Sequence, residues 1–331
     1  MLKINFEKLF NKLELGNMRS EPKKVFGGLL HKMYKIETDE GVFAVKELNP
    51  SIMKRGEEVI RNYIFSEQVT HIVKENGVPA IPAIGDKEFI HHINDEHYMI
   101  FKWVDAKSIL PDEVNKHHCV KVGKNLATLH NIDFSSIYEK DEIPEVIEVN
   151  WKQYLKVKSE ISEVLKNAVQ KLYEWDRLAN DSTTAIYKKQ IISHRDMDCK
   201  NVLWDIDEIP IIIDWESAGY INPLQELVDV AFNWGGIETN SFNLENFKFI
   251  VESYIKHGGR IKGDIKAVLN YGYKGKLEWL EYNIKRSLGI ECSSEEEKRI
   301  GIGEVTKTID ALSRYEELVP VCEEILKEYA N

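Results

Sequence analysis

Short alternating apolar and polar runs crowd the stretch before Asp105, while long helical spacings take over after it, and that switch restricts the possible folds more than any other feature. Residues 25–48, VFGGLLHKMYKIETDEGVFAVKEL, hold three short alternating runs. They are broken at Gly27-Gly28 and at the turn signal Asp39-Glu40-Gly41, so a meander of strands is expected. Residues 55–75 repeat Val59, Ile60, Tyr63, Ile64 and Val69 at helical spacing. After Pro79 and Pro82 come two more strand patterns, near Phe89–Ile93 and Tyr98–Trp103, joined by Asn94-Asp95. Beyond Asp105, helical patterns cover 112–131, 151–178, 224–234, 243–257, 263–271, 275–288 and 296–328, the last interrupted near Val319-Pro320. Short strands near 190 and over 202–214 break the series. The expectation is an α+β chain: a small lobe over 1–104 with a five-stranded antiparallel sheet, then a larger, mostly helical lobe over 105–331.

Composition matters here for what it excludes. A formal net charge of -11 disfavours a nucleic-acid partner, because phosphate backbones select clustered Lys and Arg. A cationic small molecule is compatible with it, although acidity that merely aids solubility is the simpler reading. The four cysteines, Cys119, Cys199, Cys292 and Cys322, form no CxxC pair and suggest neither zinc nor a disulfide framework. The amino-terminal MLKINFEKLFNKLELGN mixes charges into its apolar positions, unlike a signal peptide. No segment approaches the roughly 20 apolar residues that span a bilayer, so no membrane partner and a cytoplasmic location are expected.

The densest chemistry lies in HRDMDCKNVLWDIDEIPIIIDWES, which begins at His194. Ile191-Ile192 reads as a strand end, His194–Lys200 as a loop, Val202–Trp204 as a strand and Ile211–Ile213 as a strand stopping at Asp214. Strand ends put side chains at a sheet rim, where Asp196, Asn201 and Asp214 can converge. Phosphoryl transfer needs hard oxygen ligands for a magnesium nucleotide, and a carboxylate that accepts a hydrogen bond from the attacking hydroxyl. Asp196 suits the second role, Asn201 and Asp214 the first. In VFAVKEL, alternation puts Val42, Ala44 and Lys46 on one strand face.

The pattern HxDxxxxN with the later Asp214-Trp215-Glu216 resembles the catalytic and metal-binding segments of the protein-kinase-like fold, and most nearly the aminoglycoside phosphotransferase and choline kinase family. That resemblance implies a bilobal fold. It also implies a kinase moving the γ-phosphate of ATP or GTP, with Mg2+, to a hydroxyl of a small molecule. Asp196 would be the catalytic residue, Asn201 and Asp214 the metal ligands. Ala44 would make room for adenine and Lys46 would reach the α- and β-phosphates, held by a carboxylate from the following helix: Glu67 first, with Glu57 and Glu58 as alternatives. Gly27-Gly28 resembles an abbreviated phosphate loop, and Lys102, Trp103 and Val104 would form the hinge whose main chain meets adenine. The chain departs from the family in having Arg195 where Gly is usual, and Asn222 and Glu226 near positions where Asp is common. No Ala-Pro-Glu follows Asp214, which argues against protein-kinase regulation.

Three further readings stand beside these. His130, in the run Ala127-Thr128-Leu129-His130, reads as a core histidine rather than a catalyst. On LEWLEYNIKRSLG, Glu278, Glu281, Tyr282 and Lys285 share a helix face that suits a cationic amine, though Glu281 paired with Lys285 over an inward Trp279 serves equally. A catalytically inactive nucleotide-binding scaffold, or a kinase acting on a protein such as a spore-coat component, are the alternative functions.

Overall fold

The computed structural model describes residues 2–25, 31–85, 88–137, 146, 148–239, 241–290, 292 and 294–330. Packing divides the chain into two units: Met1–Ile109 with Ile132–Tyr138 and Cys199–Gly219, and Leu110–Asn131 with Glu139–Asp198 and Tyr220–Asn331. Elements are numbered along the chain.

The first unit is built on β1 (Lys23–Val25), β2 (Lys32–Glu37), β3 (Val42–Glu47), β4 (His91–Ile93) and β5 (Glu96–Lys102). They form a five-stranded sheet, order β1-β2-β3-β5-β4, with antiparallel neighbours throughout. The turns follow from their residues. Thr38 N donates to Gly41 O at 2.8 Å, and Gly41 supplies a φ of 152° that a side chain would resist. Between Ile93 and Glu96, Asn94 takes φ 57°, the left-handed conformation that tight hairpins demand and Asn tolerates. The five expected strands are all present.

Alternation gives this sheet two distinct faces. Phe43 and Val45 join Tyr34, Ile36, Tyr98 and Ile100 on one face, covered by Phe6, Leu9 and Phe10 of α1 (Leu2–Lys12). This amino-terminal helix was not expected, yet Phe6, Leu9, Phe10 and Leu13 follow the i, i+3, i+4, i+7 spacing of a helical stripe. The opposite face carries Ala44, Lys46, Met99 and Phe101, with Lys46 paired to Met99 and Ala44 to Phe101. There Met99 and Phe101 pack with Tyr63, Val59, Ile60 and Ile64 of α3 (Glu57–Glu75), the helix read over 55–75. A short α2 (Pro50–Met53) precedes it, started by Asn49, whose side chain accepts from Ser51 N, and by Pro50 in the first turn.

Also in this unit, β7 (Val202–Trp204) and β8 (Pro210–Ile212) form a hairpin, Val202 opposite Ile212. Main-chain bonds stitch it to its own unit: Ile212 N donates to Pro79 O at 2.7 Å and Trp204 N to Lys107 O at 2.8 Å.

The second unit contains α4 (Lys116–His130), α5 (Ser162–Ile186), β6 (Ile191–Ser193), α6 (Pro223–Trp234), α7 (Leu244–Lys256), α8 (Ile265–Tyr271), α9 (Tyr273–Ser287) and α10 (Glu295–Glu328). β6 pairs with β9 (Gly219–Ile221), which leads into α6. Side chains of Asn115, Asn222, Asn243, Asp264 and Ser294 accept from first-turn amides and so start five of these helices. Gly123 lets α4 and α7 approach: a Cβ there would lie 2.6 Å from Ile250 O.

Two expectations change. The helix read over 151–178 is a 3-10 turn at Trp151–Lys156 followed by α5, which continues to Ile186. The break expected near Val319-Pro320 is absent, and α10 runs through Pro320. Proline costs about 3 kcal/mol inside a helix. Buried Leu312 and Tyr315 before it and Cys322, Ile325 and Leu326 after it outweigh that, at about 1.5–3 kcal/mol per large side chain. Among the described residues, no helix is long and apolar enough to cross a membrane.

Candidate active site

The β7–β8 hairpin explains why carboxylate and amide sit where strands stop. Asn201 immediately precedes β7 and Ile213 immediately follows β8, and Ile213 N donates to Asn201 O at 2.9 Å. This bond closes the hairpin and sets Asn201 beside the segment that ends in Asp214. Asn201 is buried, at 3 % exposure. Asp214 takes φ 60° and ψ 55°, a left-handed conformation at the start of the 3-10 turn Trp215–Ser217. Its side chain caps no amide of that turn, so its carboxylate is left for another partner.

That partner is Lys46. Its ammonium lies 2.8 Å from Asp214 Oδ1 and 2.6 Å from Glu216 Oε2, joining positions 168 and 170 residues apart. Burial disfavours the charged ammonium, but Asp214 and Glu216 reverse this and raise its pKa above the ordinary value. Glu216 shows the converse: burial raises its pKa, while the hydrogen bond from His31 and the charge of Lys46 pull it down to about 2. Lys46 is therefore a fixed cation between two anions.

A second layer surrounds Glu216. His31 Nδ1 accepts from Asn49 N at 3.0 Å, which leaves its proton on Nε2. Nε2 lies 3.4 Å from Glu216 Oε2 and 2.8 Å from the Tyr63 hydroxyl. Burial, then the nearby Glu216, push the Tyr63 phenol up to about 12. Ser66 Oγ, on α3, donates to Asn62 O at 2.7 Å and lies 3.4 Å from Glu216 O.

The helix carboxylate expected to hold Lys46 does something else. Glu67 accepts from Ala83 N at 2.8 Å through Oε2 and makes no hydrogen bond to Lys46. Burial drives its pKa up to about 7, against the opposing effects of the Ala83 amide and the Lys46 charge. Glu57 and Glu58 lie in the exposed first turn of α3. The two residues that do complete the Lys46 cluster, Glu216 and His31, were missed. Glu216 carried a signal in the Asp214-Trp215-Glu216 motif; His31 carried none, because its neighbours come together only in the folded sheet.

Ala44 sits on the Lys46 face of β3, as alternation requires. Lys102 is exposed and pairs with Phe43; Trp103 and Val104 are half-buried. Trp103 N donates to Val42 O at 3.0 Å and its indole to Asp105 Oδ1 at 2.8 Å, with the Lys35 ammonium 4.5 Å from the ring centre. Gly27 and Gly28 lie outside the described residues.

Asp196 belongs to the second unit and is described there. It follows β6 in a turn held at its main chain: Arg195 N donates to Glu226 Oε1 at 2.7 Å and Asp196 N to His194 Nδ1 at 3.2 Å. Arg195 has φ 68°, the backbone region that favours Gly, which accounts for the glycine usual at that place. Glu226 is held from behind, its Oε2 2.7 Å from His130 Nε2, while His130 Nδ1 lies 2.8 Å from the Tyr254 hydroxyl. Burial raises the Glu226 pKa, but its hydrogen bonds and the His130 interaction bring it below the usual carboxylate value. His130 thus supports the turn through a side chain only 3 % exposed.

On α9, Glu281 accepts from the Tyr154 hydroxyl at 2.6 Å and lies 3.4 Å from the Lys285 ammonium, so the pairing alternative is realised. Trp279 does not turn inward: it is 44 % exposed, beside Tyr282 at 5.6 Å between ring centres.

The donors available to a metal are the Asn201 amide oxygen and the Asp214 carboxylate, both hard oxygens suited to Mg2+. Among the described residues, no cluster of three or more His, Cys, Asp and Glu could hold a metal alone. Mg2+ held by one or two protein oxygens and completed by substrate phosphates needs no such cluster.

Residues 23–249 match the sequence model of the phosphotransferase enzyme family. No curated protein sequence matches the chain. Among solved structures, a spectinomycin phosphotransferase in complex with ADP and spectinomycin superposes with TM-score 0.72 at 11% identity, over 95% of this chain and 98% of that one. An amicoumacin kinase in complex with AMP-PNP, Ca2+ and its ligand gives 0.61 at 10% identity, over 93% and 95%. A choline kinase from Cryptosporidium parvum gives 0.58 at 14% identity, over 99% of both chains. At these identities the likeness establishes the fold, which is the α+β kinase-like one.

Proposed function

The chain belongs to the phosphotransferase enzyme family, and from that membership we propose that it transfers the γ-phosphate of ATP or GTP to a hydroxyl of a small molecule. The observation that carries this reading is the Lys46–Asp214 contact at 2.8 Å, which unites the candidate phosphate-binding lysine with the candidate metal carboxylate. In this reading Lys46 holds the α- and β-phosphates. Ala44 and the main chain at Lys102, Trp103 and Val104 receive the base, and Gly27 and Gly28 contribute amides to the phosphates. Asn201 and Asp214 would hold Mg2+, which when bound neutralises phosphate charge. Asp196 accepts a hydrogen bond from the acceptor hydroxyl and aligns its oxygen with the γ-phosphorus. The amides of Arg195 and Asp196, anchored on Glu226 and His194, keep that carboxylate on a rigid turn. Positioning and charge stabilisation supply most of the acceleration. In this reading 1–104 presents the nucleotide and 105–331 carries catalysis and the acceptor, with Asn201 and Asp214 supplied from the segment Cys199–Gly219 that packs in the first unit.

The kinase neighbours are named for spectinomycin, amicoumacin and choline, which supports a small-molecule acceptor over a protein. A cationic acceptor agrees with the net charge of -11. The test is a phosphate-transfer screen with Mg2+ and ATP or GTP, offering small alcohols, amino sugars, choline and candidate protein acceptors. Phosphorylation of a small alcohol, abolished by Asp196→Ala, supports the reading. Transfer to proteins alone, or full activity of Asp196→Ala, contradicts it.

A further inference from the structure

We propose that Glu216, rather than a carboxylate of helix α3, is the residue that positions Lys46 for the nucleotide, and that His31 in turn positions Glu216. The inference rests on the phosphotransferase reading above and assigns a positioning pair within the same site.

Three observations lead to it. Among the described residues Lys46 meets two carboxylates, Asp214 at 2.8 Å and Glu216 at 2.6 Å. The two differ in their fitness for a permanent role. The Asp214 side chain is 39% exposed, caps nothing and is the assigned metal ligand, so a cation bound there would compete with Lys46 for it. The Glu216 side chain is 22% exposed, and its Oε2 meets both Lys46 and His31. Its Oε2 lies 3.4 Å from His31 Nε2, and its main-chain oxygen lies 3.4 Å from Ser66 Oγ, which places the turn that carries it against α3.

His31 is suited to this task because its own geometry is settled. The side chain is 3% exposed, and the Asn49 amide occupies Nδ1 at 3.0 Å. The ring therefore directs its one Nε2 proton to the Tyr63 oxygen at 2.8 Å, and the same nitrogen lies 3.4 Å from Glu216 Oε2. Meanwhile Glu67, the carboxylate that α3 does bring to this region, is committed to Ala83 N at 2.8 Å. The work of fixing the lysine thus passes from the helix to the 3-10 turn that follows the metal carboxylate. Lys46 and Glu216 both belong to the packed unit that holds the sheet and the β7–β8 hairpin.

The experiment is a double-mutant cycle with two readouts on the full chain: melting temperature without nucleotide, and kcat and KM for Mg2+-dependent ATP hydrolysis with water as acceptor. The variants are Lys46→Met, Glu216→Gln, Glu67→Gln, His31→Ala and His31→Gln. Glu216→Gln is expected to lower kcat by about 10- to 100-fold with KM for ATP changed far less, the cost of a misplaced lysine. In Lys46→Met the same substitution has no further effect on kcat, and the melting shifts of the two fall short of their sum. Glu67→Gln costs less than Glu216→Gln and couples to Lys46→Met more weakly than Glu216→Gln does. His31→Gln, which keeps a donor toward Glu216, loses less activity than His31→Ala. Independent effects of Lys46→Met and Glu216→Gln, or a Glu216→Gln variant whose main change is its Mg2+ requirement, overturn the proposal and assign Glu216 to the metal. Coupling of Lys46 to Glu67 instead overturns it equally. A wild-type protein with neither Mg2+-dependent AMP-PNP binding nor ATP hydrolysis overturns the phosphotransferase reading itself, and this inference with it.

Discussion

Replacing Glu67 with Gln should change how stability depends on pH, and the structure gives the size and sign. Glu67 is 5 % exposed, and burial raises its carboxyl from the ordinary 4.5 to about 7. Between those values the folded chain holds a proton that the unfolded chain has released. The contribution is therefore whole below pH 4.5 and is lost as pH rises through about 7. A shift of this size corresponds to about 3 kcal/mol at about 1.4 kcal/mol per pH unit. Glu67→Gln keeps an oxygen to accept from Ala83 N but has no charge to bury. Urea unfolding of both proteins at about pH 5 and about pH 8 isolates the effect, since other groups cancel in the difference. The variant should gain about 2.5 kcal/mol on wild type between the two conditions, since part of the effect is already lost at pH 5. Parallel stabilities at both pH values, or a variant that loses ground at the higher one, would refute the buried-carboxyl reasoning.

Other substitutions test separate parts of the account. Asp196→Ala should lower turnover by about 10²–10⁴-fold while leaving AMP-PNP affinity within a few-fold of wild type in a calorimetric titration. At the left-handed position 195, φ 68°, Arg195→Gly should be about 1 kcal/mol more stable than Arg195→Ala, measured by denaturant unfolding. Gly123→Ala should cost about 1–3 kcal/mol, because the new methyl would press on Ile250 O between α4 and α7; an unshifted melting curve would contradict that close approach. His130→Ala should destabilise by about 3–5 kcal/mol, since it leaves buried Glu226 without its ring partner.

The parts of the site that were legible in the sequence are those carried by local pattern. Alternation alone put Ala44 and Lys46 on one face of a strand, because successive side chains must point oppositely. The strand-turn-strand reading of 202–214 brought Asn201 next to the segment of Asp214, since a hairpin closes on its own ends. Lys46 and its partners were a different problem. The choice between Glu67 and Glu216 depends on which carboxylate the Ala83 amide captures and on where the Trp215–Ser217 turn lies against α3, both decided by packing between distant segments. His31 had no local signature, for its role comes from an amide at Asn49 and a hydroxyl at Tyr63. In the fold, α1 had a readable stripe of Phe6, Leu9 and Phe10, whereas the continuity of α10 through Pro320 reflects burial on both sides that outweighs a local rule.

The central claim is that Asp214 and Lys46 serve a magnesium nucleotide, and calorimetric titration of AMP-PNP with and without Mg2+, on wild type and Asp214→Ala, tests it most directly. The account predicts that wild type binds much more tightly when Mg2+ is present and that Asp214→Ala loses this difference. Equal Mg2+ dependence in the two proteins, or no nucleotide binding by wild type, would contradict it.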